Sequence, residues 1–104
     1  MALKLDYPFS FDHAEAIARM QALTSYWHKR YGIQVNWDGD GAKVEGNVKG
    51  IKFKARFLVE TNRISGEADV GFLAEKLGAK TYLEKKMADY FSPSNSLESL
   101  QARI

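Results

Sequence analysis

The spacing of apolar positions changes three times along the chain. Leu3, Leu5 and Tyr7 alternate with Lys4 and Asp6, the period-two pattern of a half-buried strand, and Pro8 limits how far that strand can pair. From Asp12 the period becomes helical. Ala16, Ile17, Met20, Leu23, Trp27 and Tyr31 form an apolar stripe, with Glu15, Arg19, Ala22, Tyr26 and Lys29 expected on the opposite side. Asp12 followed by Glu15 predicts a capping box, and Phe11 stands where a hydrophobic staple would reach Ala16. Gly32 predicts the left-handed residue that ends the helix.

Between Ile33 and Val70 the period is two again. Four apolar series follow one another: Ile33, Val35, Trp37; then Ala42, Val44, Gly46, Val48; then Ile51, Phe53, Ala55, Phe57, Val59; then Ile64, Gly66, Ala68, Val70. The residues between them are mostly charged or polar, so the four predicted strands form an antiparallel meander with one wet face. Register tests this, because a one-residue slip turns the apolar set outward. A connection at Lys49 and Gly50 pairs Val48 with Ile51, Gly46 with Phe53 and Val44 with Ala55. One at Thr61 and Asn62 pairs Val59 with Ile64, Phe57 with Gly66 and Ala55 with Ala68, and one over Asp38 to Gly41 pairs Trp37 with Ala42. All three hairpins bury the same face.

After Val70 the pattern is helical once more, with Asp69 as cap. Phe72, Leu73 and Leu77 make one apolar turn, Gly78 interrupts, and Leu83, Met87, Tyr90 and Phe91 continue to a stop before Pro93. One helix kinked at Gly78 and a short helix followed by a longer one both fit. The predicted class is α+β, in the order β-α-β-β-β-β-α, with an antiparallel meander sheet and helices packed on one face. Residues 1–91 form one domain. Residues 92–104 read as a mobile tail, in which Leu97, Leu100 and Ile104 offer a brief helical docking patch. The pattern leaves open whether the first strand joins the sheet beside Ile33 or beside Val70.

Composition narrows the chemistry. With 45% hydrophobic and 27% charged residues the chain lies well away from disordered sequences. It has no Cys, which excludes disulfides, thiolate metal sites and a cysteine nucleophile. The N-terminus lacks a secretory apolar run and no stretch approaches the roughly 20 residues of a transmembrane helix, so a cytoplasmic protein is expected. A net charge of +2 points to nucleic acid only if the basic residues gather on one surface. The stripe Lys52, Lys54 and Arg56 does not qualify: the predicted registers set Lys54 between Glu45 and Asp69, and Arg56 beside Glu67. No nucleic-acid partner is expected.

Asp38, Gly39, Asp40 and Gly41 have the composition of a hairpin connection. A helix-loop-helix calcium loop would carry a bidentate Glu about twelve residues after the first Asp, and position 49 is Lys. His13 and His28 stand fifteen residues apart on the first helix, about 22 Å along its axis, and cannot share a metal there. There is no nucleophile elbow, no glycine-rich phosphate loop and no His-Glu-His spacing. A non-catalytic protein without cofactor is the expectation. What remains is apolar. Trp27, Tyr31, Trp37, Phe53, Phe57, Phe72 and Leu83 are all expected to face one layer. Either they are the core, or Gly46 and Gly66, with Ala55 and Ala68, leave a concavity that admits an acyl chain.

Several phrases make a family resemblance: A-x-x-R at Ala16 to Arg19, YG-x-x-x-x-W-x-GD at Tyr31 to Asp40, V-x-G-x-x-x-G at Val44 to Gly50, and FLAEKLG at Phe72 to Gly78. With them the chain, from Leu3 to Phe91, resembles the polyhydroxyalkanoic acid system family of small bacterial proteins. The resemblance implies a link to gene regions for storage-polyester synthesis, and it brings no established activity or catalytic residues. The element order is also similar to a reduced helix-grip domain, a fold that holds hydrophobic ligands against a curved sheet. The partners it suggests are a polyester granule surface, an acyl chain or another protein. The alternatives are a structural protein that pairs edge strands into a homodimer and, third, a hydrolytic or thioester-handling enzyme.

Overall fold

The computed structural model describes residues 2–48, 50–70 and 78–104. Strand β1 (Ala2–Pro8) leads into helix α1 (His13–Tyr31), and strands β2 (Gln34–Asp38), β3 (Gly41–Val48), β4 (Ile51–Val59) and β5 (Arg63–Val70) follow. Helices α2 (Ala79–Tyr90) and α3 (Leu97–Gln101) close the described chain. The fold is α+β, with a five-stranded antiparallel sheet in the order β1-β5-β4-β3-β2. The first strand therefore joins at the Val70 side, where Leu3 faces Ala68, Leu5 faces Gly66 and Tyr7 faces Ile64.

All three hairpin registers match those read from side-chain parity. Trp37 pairs with Ala42, Val44 with Ala55, Gly46 with Phe53, Phe57 with Gly66 and Val59 with Ile64. One face is accordingly dry: Ala42, Val44, Ala55, Phe57, Val59, Ile64 and Ala68 are buried, while Lys43, Glu45, Lys54, Arg56 and Glu67 between them are exposed. The first connection is tighter than expected. Asp38 and Gly41 pair with each other, so only Gly39 and Asp40 turn the chain.

Helix α1 lies across the dry face, with Ala16, Met20, Leu23 and Trp27 in the core. Fully burying a side chain such as Met20 or Leu23 contributes about 1.5 to 3 kcal/mol each. The helix ends at Gly32, whose φ of 70° lets its N–H reach the His28 carbonyl. Its other end departs from expectation. Asp12 is the N-cap but its side chain makes no capping bond, and Glu15, the expected reciprocal partner, holds Arg19 instead at 2.9 Å. Phe11 lies under that same guanidinium, 4.0 Å from ring centre to Cζ.

Arg19 and Ala22, placed on the wet side by periodicity, are both 3% exposed. The reason is that α1 is covered on two sides, by the sheet and by the C-terminal helices. Arg19 also finds acceptors there: its Nη1 donates to the Tyr90 carbonyl at 2.9 Å and lies 3.4 Å from that of Ser92.

Asp69 is a strand residue opposite Lys54, and the turn it was expected to cap lies outside the described residues. Phe72, Leu73 and Leu77 lie outside the described residues, and helix α2 begins just past Gly78. After Pro93, α3 is capped by the Ser96 hydroxyl and sinks Leu100 completely, while Leu97 is half-buried and Ile104 exposed. Arg103 pairs with Asp89, and the Asn95 side-chain amide donates to the Asp89 carbonyl at 2.8 Å, so the segment is tied to the end of α2.

Candidate interaction surface

The apolar layer read from the sequence separates into an interior and a rim. Trp27 and Phe57 are each 4% exposed and meet with ring centres 5.9 Å apart. Trp37, Phe53 and Leu83 are half-buried and pack against this core. Trp37 also donates its indole N–H to the Thr24 hydroxyl at 3.3 Å. Phe72 is outside the described residues.

Tyr31 does not face the layer. It is 37% exposed, because the helix stops there and Ile33, after the reversal at Gly32, takes the interior place.

The space beneath Gly46 and Gly66 is occupied. A Cβ at Gly66 would lie 2.6 Å from the Arg56 carbonyl oxygen and 3.0 Å from the Phe57 ring, and one at Gly46 would lie 3.2 Å from Ile33 Cγ1. Phe57 and Ile33 thus fill the places where a concavity was conceivable. A gap bounded by Leu3, Leu5, Phe57, Ala68 and Leu83 measures about 20 Å³, room for about one water.

Outside the core, the C-terminal half of α1 and the first half of α2 place three tyrosines side by side. The Tyr26 and Tyr31 rings meet edge to face, centres 6.5 Å apart. Lys86 Nζ lies 4.8 Å from the centre of the Tyr26 ring and 5.8 Å from that of Tyr82, and the Arg30 guanidinium is 5.8 Å from Tyr31. Tyr82 is anchored from below by Trp27, whose indole N–H donates to its oxygen at 3.2 Å. Burial raises the Tyr82 phenol above its ordinary pKa, against the opposite pull of the Trp27 bond, and the neighbouring Tyr31 and Tyr26 raise it further. The hydroxyl stays neutral at physiological pH.

The arrangement arises from one spacing used twice. Tyr26 is followed at three and four positions by Lys29 and Arg30, and Tyr82 by Lys85 and Lys86, which puts each tyrosine on one helix face with two cations. That repeat is the signal through which the sequence could have revealed Tyr26, Tyr82, Arg30 and Lys86. Among the described residues, no ion pair engages any of the four cations.

The outer sheet face is different. Lys54 lies 4.0 Å from Glu45, and Arg56 lies 3.4 Å from Glu67. A shallow depression of about 430 Å³ there is lined mainly by such crossed charges.

The two histidines hold backbone. His13 Nε2 is 3.0 Å from the Val59 carbonyl and 3.7 Å from Asp40, and His28 Nδ1 is 2.7 Å from the Ile33 carbonyl. Among the described residues no group of three His, Asp or Glu gathers as a metal site, and no helix is long and apolar enough to cross a membrane.

A family model described as "Putative polyhydroxyalkanoic acid system protein" (PHA_gran_rgn) matches residues 4–92. The chain belongs to this family. No curated protein and no solved structure matches it. The family match spans the sheet, α1 and α2, and stops before α3. Within it, the residues that carried the resemblance have architectural work here. Arg19 binds the end of α2, Gly32 ends α1, Trp37 bonds Thr24 and Gly46 makes room for Ile33.

Proposed function

We propose that the protein is a non-catalytic accessory of the polyhydroxyalkanoic acid system that attaches to an apolar partner from outside instead of enclosing a ligand. The observation that carries this reading is the filled space under Gly46 and Gly66, set against a helix face that keeps Tyr31 and Tyr82 each 37% exposed. Family membership supplies the setting, a storage polyester that presents an apolar surface. The protein would work in the cytoplasm, at granules.

The test is sedimentation with polyester granules beside a fatty-acid titration followed by NMR. Co-sedimentation without shifts at Trp27 and Phe57 is the expected result. Shifts at those two core residues without sedimentation would mean an enclosed ligand, and silence in both experiments would remove the reading altogether.

A second reading has support from β1 and β2, the two edges of the sheet. Each offers a row of backbone groups to a second copy, which would make the chain an oligomer-forming structural protein. A constant monomer mass in light scattering across concentrations would exclude it.

A further inference from the structure

We propose that the face made by Tyr26, Tyr31, Tyr82, Lys29, Arg30, Lys85 and Lys86 docks on a lipid layer that carries anionic headgroups. The inference rests on the external-attachment reading above and names the chemistry of the partner.

Charge complementarity carries it. Between Met20 and Ile33 the sequence has no acid, and between Gly78 and Met87 its one acid is Glu84, which stands two positions from Tyr82 and so off the tyrosine face. Elsewhere several cations meet acids: Lys54 with Glu45, Arg56 with Glu67, Arg63 with Asp6 and Glu60, Arg103 with Asp89. The helix face gathers four basic groups beside three tyrosines, with no ion pair to any of the four among the described residues. Lys29, Arg30 and Lys85 are exposed.

The tyrosines fit the same partner. A phenol has an apolar body and a polar tip, the combination that settles at the boundary between headgroups and hydrocarbon, and lysine stems let their charges rise to the headgroups while the chain lies lower. The raised Tyr82 keeps its hydroxyl uncharged beside phosphate.

Nucleic acid suits the face less well. Base stacking needs open ring faces, and Lys86 lies over Tyr26 and Tyr82 while Arg30 lies over Tyr31. A bare polyester would leave the four cations without counter-charges.

The experiment is co-flotation of the full chain with vesicles of phosphatidylcholine alone or mixed with phosphatidylglycerol, alongside sedimentation with lipid-free polyester particles. The expected result is binding at least about tenfold tighter to the anionic vesicles, weakened by salt, since each basic side chain near such a surface adds about 1 kcal/mol, or roughly a fivefold gain. The pair Lys29→Glu and Lys85→Glu, on exposed side chains without ion-pair partners among the described residues, should lower binding about tenfold or more, with an unchanged circular dichroism spectrum. Lys54→Glu on the sheet should leave binding unaltered.

Equal affinity for neutral and anionic vesicles would overturn the proposal. So would indifference to the two charge reversals, or binding to a single-stranded oligonucleotide that displaces the vesicles. Binding to lipid-free polyester but to no vesicle would overturn this proposal and leave external attachment standing. Binding to neither would overturn both.

Discussion

The two ends of helix α1 both set a cation over an aromatic ring, and they do opposite things with it. At the N-terminal end Arg19 is 3% exposed, stands 4.0 Å over Phe11 and gives its N–H groups to Glu15 and to the carbonyl of Tyr90. At the other end Arg30 stands 5.8 Å from Tyr31, both exposed, and among the described residues its guanidinium makes no hydrogen bond. The contact type does not decide the role. What decides it is whether the donors are already satisfied inside the protein: Arg19 is part of the scaffold, and Arg30 has its donors to offer.

The strongest way to break this comparison is Arg19→Met. It removes a buried guanidinium and leaves the Tyr90 carbonyl without that donor, so a loss of about 2 to 4 kcal/mol is expected in urea unfolding. A loss below about 1 kcal/mol would put Arg19 in the same class as Arg30. Next comes Trp27→Phe, which takes away the core residue that anchors Tyr82. Loss of ring volume and of the bond to Tyr82 should cost about 1 to 2 kcal/mol, and the Tyr82 phenol should then titrate higher still, as read by ultraviolet absorbance.

Alkaline pH tests the same junction with no mutation. The Tyr82 phenol is raised in the folded state, mainly by burial, and Tyr90 is raised for the same first cause. The folded chain therefore holds these protons more tightly than the unfolded one. Their contribution is complete below the free-tyrosine value near 10 and is lost as pH rises through the folded values. Unfolding midpoints should fall above about pH 10. Because Tyr82 is partly solvated, the total loss should be smaller than a fully enclosed phenol would give. A flat profile to pH 11 would mean that the phenol is not held as described.

The smallest effect is expected from Arg30→Ala, within about 0.5 kcal/mol, as for an exposed residue whose donors are unspent. A larger loss would make the tyrosine face structural.

Much of this fold is legible in the sequence. Phe57 could be set opposite Gly66, and Val44 opposite Ala55, because a strand's two faces differ in solvent contact and parity admits no half measures. The helix stripe was legible for Met20, Leu23 and Trp27, whose neighbour is the sheet. It failed at Arg19 and Ala22, since a second layer of helices covers that side and periodicity assumes one buried face. It failed at Tyr31 because a helix end has no further turn to carry it inward. The candidate surface was legible only in pieces. Tyr26 looked like a residue of a wet helix face, and its relation to Tyr82, fifty-six positions away, depends on α1 and α2 lying together.

By itself, then, the sequence determined the first strand, the long helix, the four-strand meander with its hairpin registers and the identity of the dry sheet face, because these follow from nearest-neighbour spacing and from the cost of wetting apolar groups. Tertiary structure alone decided that β1 joins beside β5, that Arg19 is interior, and that two tyrosine-cation turns from separate helices form one surface. Those outcomes depend on which distant groups meet, and whether a charge is spent or available is fixed only by the acceptors that packing brings within reach.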